Sequence, residues 1–337
     1  MSQVGEYVDN IELVKPLIAV LVQLVINDPH PQIRFACYHC LGQLAQDLSP
    51  EFQSRFGDDV LYVLINGIQD EVPRVKSHAL CALTNFNEGT IVEVILDKSD
   101  IMTSRIMEII KNSNSSVFVK KGAVTCLTSV MRGLRHECQK YYEDLVPFLL
   151  ETFRKEHQSS EELNSRIIDC VTMMTYFTED DIVEKYFTEI FSMLKYFQCS
   201  IISYTDPRID YLLTAWNRLV FKLKENFKPY MNDIFAIISK VLEQLTHYKA
   251  YLYEKRDNNN FLEDDHDGDI NKIISKCDYE LSKAQISSAI KILIIMHSQF
   301  KSEFVTRAES LIEILLIGLT LVADNEVKKT SSKAIIA

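Results

Sequence analysis

Apolar residues recur three and four positions apart through most of the chain, the spacing of amphipathic helices rather than the alternation of strands. Over 33–44 the apolar set is Ile33, Cys37, Cys40, Leu41 and Leu44; over 75–86 it is Val75, Ala79, Ala82, Leu83 and Phe86. A third run, Phe52, Phe56, Val60, Val63 and Leu64, predicts a helix with Ser49 as N-cap and Pro50 at the first helical position. The stretch from Tyr7 to Ile26 predicts another helix.

These runs repeat at a fixed interval. Asp28, four residues and then Ile33-Arg34 is echoed by Asp70, four residues and then Val75-Lys76, a shift of 42. Weaker copies place Val119-Lys120 another 44 residues on, Ile167 another 48, Ile209 another 42 and Val327-Lys328 near the end, with Ile286 as the next anchor after Ile209. Each anchor opens the second helix of a hairpin. Asp28 and Asp70 fall in the short turn between paired helices, where a carboxylate accepts backbone N–H bonds of the next helix start, and Pro31 and Pro73 suit a first turn that has no donor to lose. A two-helix unit of this length cannot bury its apolar face alone, so successive units stack into a curved solenoid with one continuous core.

Composition agrees with that picture. Nine glycines and eight prolines in 337 residues are too few for the frequent turns of a sandwich, barrel or doubly wound sheet. With 47% hydrophobic and 25% charged residues the chain builds a large core and is not disordered. The 36 basic and 47 acidic residues give −11, a field that favours basic partners and disfavours nucleic acid. Eight cysteines sit mostly among apolar residues, which predicts a reducing compartment. Residues 1–20 lack a secretory signal, and charged or polar residues interrupt the longest apolar stretches, so no membrane association is expected.

The segments RFACYHCLGQLAQDLSPEFQ (34–53), RVKSHALCALTNFNE (74–88), DPRIDYLLTAWNRL (206–219) and AQISSAIKILIIMHSQFKSEFV (284–305) resemble, in order, HEAT repeats of the importin-β family, nearest to the importin five or karyopherin beta three branch. The resemblance implies an all-α, right-handed α-solenoid of about seven hairpins forming one array over 1–337. The approximate repeats are 6–48, 49–90, 91–138, 139–180, 181–224, 225–298 with an acidic insertion at 253–275, and 299–337. With no evident capping repeat at either end, the chain reads as an internal, middle portion of such a receptor, without the amino-terminal repeats that carry the family's main Ran contact.

By the same resemblance the chain is a nuclear import receptor segment, shuttling between cytoplasm and nucleus. It binds basic localisation signals of cargo proteins on an acidic concave face, with release controlled by Ran-GTP, and nucleoporins are admissible further partners. A HEAT-repeat scaffold for complex assembly, without transport, is the alternative. In such an array a stripe one step off the core positions of the second helices faces the ligand: Ala36, Gln43, Gln46 and Asp47, then His78, Cys81, Asn85 and Glu88. Carboxylates at helix C-termini suit lysine ammonium groups, and an amide suits an extended peptide backbone. Asp47, Asn85 and Glu88 are therefore the expected cargo-binding residues. The 44-residue offset from Glu88 lands on Arg132, where the family pattern leads one to expect an acid, and from Asn85 on Ser129.

The run Glu263, Asp264, Asp265, Asp267 and Asp269 resembles the acidic regulatory loop of importins. An EF-hand register starting at Glu263 fails at position 12, which is Ile274 rather than a bidentate glutamate; a plain solvated linker is the third reading. Cys37 and Cys40, three apart on a helix with His39 between them, read as packing rather than zinc ligands, since no second pair has matching spacing. Trp216 shares an apolar stripe with Ile209 and Leu213 and reads as core rather than as a peptide-stacking platform. No nucleophile with a base, paired buried carboxylates or glycine-rich phosphate loop is recognisable, so neither an enzyme nor a cofactor or metal site is expected.

Overall fold

The computed structural model describes residues 11–90, 92–156, 160–201, 206–243 and 283–300, together with 316 and 331. Among these residues every regular element is helical and there is no strand. A 3-10 turn, Ile11–Val14, leads into α1 (Lys15–Asn27), followed by α2 (Pro31–Asp47), α3 (Glu51–Gly67), α4 (Pro73–Glu88), α5 (Val92–Lys111) and α6 (Val117–Leu134). A 3-10 stretch, Arg135–Tyr141, then opens into α7 (Tyr142–Glu156), α8 (Glu161–Phe177) and the short α9 (Asp180–Glu184). After α10 (Phe187–Ser200) and α11 (Arg208–Leu223) come a second 3-10 stretch, Lys224–Tyr230, a helical segment over 231–243 and α12 (Lys283–Gln299). The chain divides into two compact units, Met1–Tyr186 and Phe187–Ala337.

In the first unit the helices pair as hairpins, α1 with α2, α3 with α4, α5 with α6 and α7 with α8. The second helices pack directly on one another, α2 on α4, α4 on α6 and α6 on α8, whereas the first helices meet only sparsely. Closer spacing in one of two stacked layers bends the row toward that layer, so the second helices form its inner side. Gly42 permits a close approach of α2 to α4: a Cβ there would lie 2.8 Å from the Ala82 Cα.

The periodic residues mostly enter the core. Val75, Ala79, Ala82, Leu83 and Phe86 of α4 are buried, as are Phe52, Val60, Val63 and Leu64 of α3 and the later anchors Val119, Ile167 and Ile209. Ile33 departs from the expected core position and is 40% exposed. Its counterpart Val75 is covered because α4 is flanked by α2 and α6, while α2 has one inner neighbour among the described residues. Tyr38 and Ala45 complete the buried face of α2 instead.

The inter-helix turns follow the expected chemistry. His30 N–H donates to Asp28 Oδ1 at 2.8 Å and Val72 N–H to Asp70 Oδ1 at 2.9 Å, with Pro31 and Pro73 in the first turns that follow. The expected Ser49 cap is corrected: α3 starts at Glu51 with Pro50 as the flanking residue, and no side chain caps it. Backbone bonds from Phe52 N–H to Leu48 O and from Ser54 N–H to Pro50 O close the turn, and Ser49 packs against Gly89.

In the second unit Trp216 lies in the core, 1% exposed, against Phe191 and Phe227. Its indole N–H donates to Gln198 Oε1 at 3.0 Å, and Gln198 Nε2 donates to Asp233 O at 2.8 Å, tying α10 and α11 to the 231–243 helix. A buried indole needs such a partner. α11 packs against α12, where Ile286 is buried.

Candidate functional site

The residues of the expected stripe lie on α2 and α4, the second helices of the first two hairpins. Asp47 is the last residue of α2, and Gln43 Nε2, one turn earlier, donates to its Oδ1 at 2.7 Å. Its Oδ2 is shielded from solvent and has no hydrogen-bond partner. Asn85, one turn before the end of α4, donates through Nδ2 to the Gly42 carbonyl at 3.2 Å and to Gln46 Oε1 at 3.3 Å. Both amide protons are thus spent on α2, and Asn85 Oδ1 is left as the acceptor. Glu88 ends α4 with its side chain about half exposed.

The three residues come together as the C-terminal rim of α2 and α4. The carbonyl ends of two neighbouring helices point toward the same rim, and their partial negative charge adds to the two carboxylates. Gln53 of α3 braces the helix ends from behind: buried, it donates through Nε2 to Ala45 O at 2.8 Å and to Phe86 O at 3.3 Å. The sequence reading missed this residue, since nothing in its spacing marks a side chain that reaches two other helices.

Arg132, at the C-terminal end of α6, projects onto the same rim. Its guanidinium stands 3.6 Å from Glu88 and 3.9 Å from Asp169 of α8, with its own side chain 46% exposed. Asp169 was not anticipated; it lies in the middle of α8 rather than at its end, so the repeat offset does not lead to it.

At the opposite end of the stripe the rings of Phe35 and His78 stack with centroids 4.9 Å apart, and His39 meets His78 edge-on. Arg74 lies 4.4 Å above the Phe35 ring. Burial, with the charges of His39 and Arg74, holds His78 below the usual imidazole range, so this end carries a neutral ring near pH 7. Burial and the nearby Glu88 charge push the Cys81 thiol up. Burial also raises Cys37 and Cys40, the former packed in the core. The acidic run Glu263, Asp264, Asp265, Asp267 and Asp269 lies outside the described residues, as does Val327-Lys328.

Residues 17–48, which span α1 and α2, match the HEAT repeat. Importin subunit beta-3 of Saccharomyces cerevisiae is 27% identical over 217 residues, 64% of this chain and 20% of its own length. The chain is therefore similar to importins over about two thirds of its length. A second relative, a probable importin-5 homolog of Dictyostelium discoideum, is 24% identical over 152 residues, 44% of the chain and 14% of the relative. The crystal structure of Kap121p shares the fold with a TM-score of 0.76 at 21% identity, over 96% of this chain and 31% of Kap121p. The chain thus matches under a third of the length of each of these three proteins.

Proposed function

We propose that this chain serves in a nuclear import receptor and binds basic localisation segments of cargo proteins along the inner layer of α2, α4 and α6. The observation that carries the reading is the convergence of Asp47, Asn85 and Glu88 on one rim: two carboxylates on adjacent helix C-termini, with an amide oxygen between them as an acceptor for peptide N–H. Its relatives support it: they are named as importins, and Kap121p has been crystallised with the extreme C-terminus of Cdc14p and with Pho4p, Ulp1p, Ste12p and Nup53p. In this reading the receptor shuttles between cytoplasm and nucleus, Ran-GTP triggers cargo release, and a nucleoporin is a further partner.

Each exposed lysine–carboxylate pair contributes about 0.2–1 kcal/mol and weakens as salt rises. A fluorescence anisotropy titration of a lysine-bearing peptide at low salt tests the site. The double variant Asp47→Lys, Glu88→Lys should bind at least tenfold more weakly; equal affinity would remove the groove assignment. Insensitivity of cargo binding to Ran-GTP in the receptor would favour a static HEAT scaffold instead.

A further inference from the structure

Arg132 sits on the rim with its charge only loosely committed. Its two ion pairs, at 3.6 Å to Glu88 and 3.9 Å to Asp169, are too long to be hydrogen bonds, and its guanidinium makes none among the described residues. Five N–H donors on a half-exposed side chain are therefore available to an incoming acceptor. Exposed pairs of this kind hold weakly, so exchanging their partners costs little.

Spacing turns this into a ligand pattern. Neighbouring packed helices lie roughly 8–10 Å apart, and a peptide in the polyproline II conformation advances about 3.1 Å per residue with three residues per turn, so every third side chain lies on one face. A peptide crossing α2, α4 and α6 therefore presents about every third side chain to successive helix ends. Asp47 and Glu88 call for cations at two such positions, and Arg132 calls for an anion at the third.

We propose that Arg132 sets the specificity of the groove, selecting a mixed-charge segment in which two basic residues three apart are followed, at the same interval, by a carboxylate side chain. A ligand lysine then takes Glu88 as its partner while the ligand carboxylate takes the released Arg132, and charge stays balanced along the row. This rests on the groove reading above.

The test is anisotropy at low salt with peptides of the pattern Lys-x-x-Lys-x-x-Glu and its Gln counterpart, in both chain directions, with neutral residues at x. The unaltered chain should prefer the Glu peptide roughly threefold to fivefold in one direction. Arg132→Gln should abolish that preference, and Arg132→Glu should favour a third lysine instead. Equal binding of the Glu and Gln peptides, with both still weakened by Glu88→Lys, would overturn the specificity proposal and leave the groove intact. Binding of neither peptide would overturn both.

Discussion

Arg34 of α2 donates to both carboxylate oxygens of Asp70, 36 positions later in the turn of the following hairpin, at 2.9 and 3.1 Å. The same guanidinium donates to the carbonyls of Asp28 and Pro29 in its own turn, and Asp70 accepts Val72 N–H in its own. One ion pair thus fastens two successive inter-helix turns, with both side chains largely sheltered. The register recurs two repeats on, where Lys120 meets Glu156 at 3.0 Å, again 36 apart.

Removing one member of a sheltered, doubly hydrogen-bonded pair strands its partner. Arg34→Ala should cost about 2–4 kcal/mol in urea unfolding. Arg34→Lys should recover only part of this, because an ammonium cannot make the forked contact. A loss below about 0.5 kcal/mol would show that the turns are held by packing alone.

Between those two rungs one is missing. Lys76 stands 36 positions before Asn112, and the two line a common hollow with Glu108 and Ser115. Asn112→Asp should restore the pair while keeping the bond that Asn112 Oδ1 accepts from Asn114 N–H. Chemical denaturation at low salt should show a gain of about 0.5 kcal/mol that shrinks in high salt.

Arg135 and Lys224 both follow a second helix and open a 3-10 stretch with positive φ, 52° and 47°, where a side chain is strained. The backbone turns there to bury Cys138 and Phe227, three residues further on in each case. Arg135→Gly and Lys224→Gly should each raise stability by about 0.5–1 kcal/mol, the relief of strain outweighing glycine's extra freedom in the unfolded chain. A fall in melting temperature for both would contradict this.

Asp206 opens α11 under two opposing influences. Burial pushes its carboxyl up, but hydrogen bonds from the Arg208 side chain and backbone N–H, with the charge of Arg208, hold it below the usual carboxylate range. A depressed native value gives stability that is present above the unfolded-chain value near 4 and lost as pH falls through the native one. Asp206→Asn should therefore destabilise the protein at neutral pH and flatten the stability profile below about pH 4. An unchanged acid limb would place the acid sensitivity elsewhere.

The hairpin period was legible because core positions, turn carboxylates and helix-opening prolines all repeat at the same interval. Asp28 and Asp70 could be read as turn acceptors from their local setting alone. Their link through Arg34 could not, since it joins residues 36 apart that meet only once hairpins stack. Ile33 misled for a related reason: its helical spacing equals that of Val75, but its burial depends on a neighbouring helix. At the rim, Asp47, Asn85 and Glu88 followed from the stripe, and Arg132 was visible as a break in it. That Arg132 reaches both Glu88 and Asp169 depends on the packing of α4, α6 and α8, which periodicity does not report.

In the proposed function basic segments lie on the second helices. Photo-crosslinking with a lysine-bearing peptide that carries a reactive group beside its lysines, mapped by mass spectrometry, locates them. Crosslinks should fall on Gln46, Asn85, Glu88 and their neighbours in α2, α4 and α6, and should disappear in the Asp47→Lys, Glu88→Lys variant. Crosslinks confined to the first helices, α1, α3 and α5, would contradict this placement.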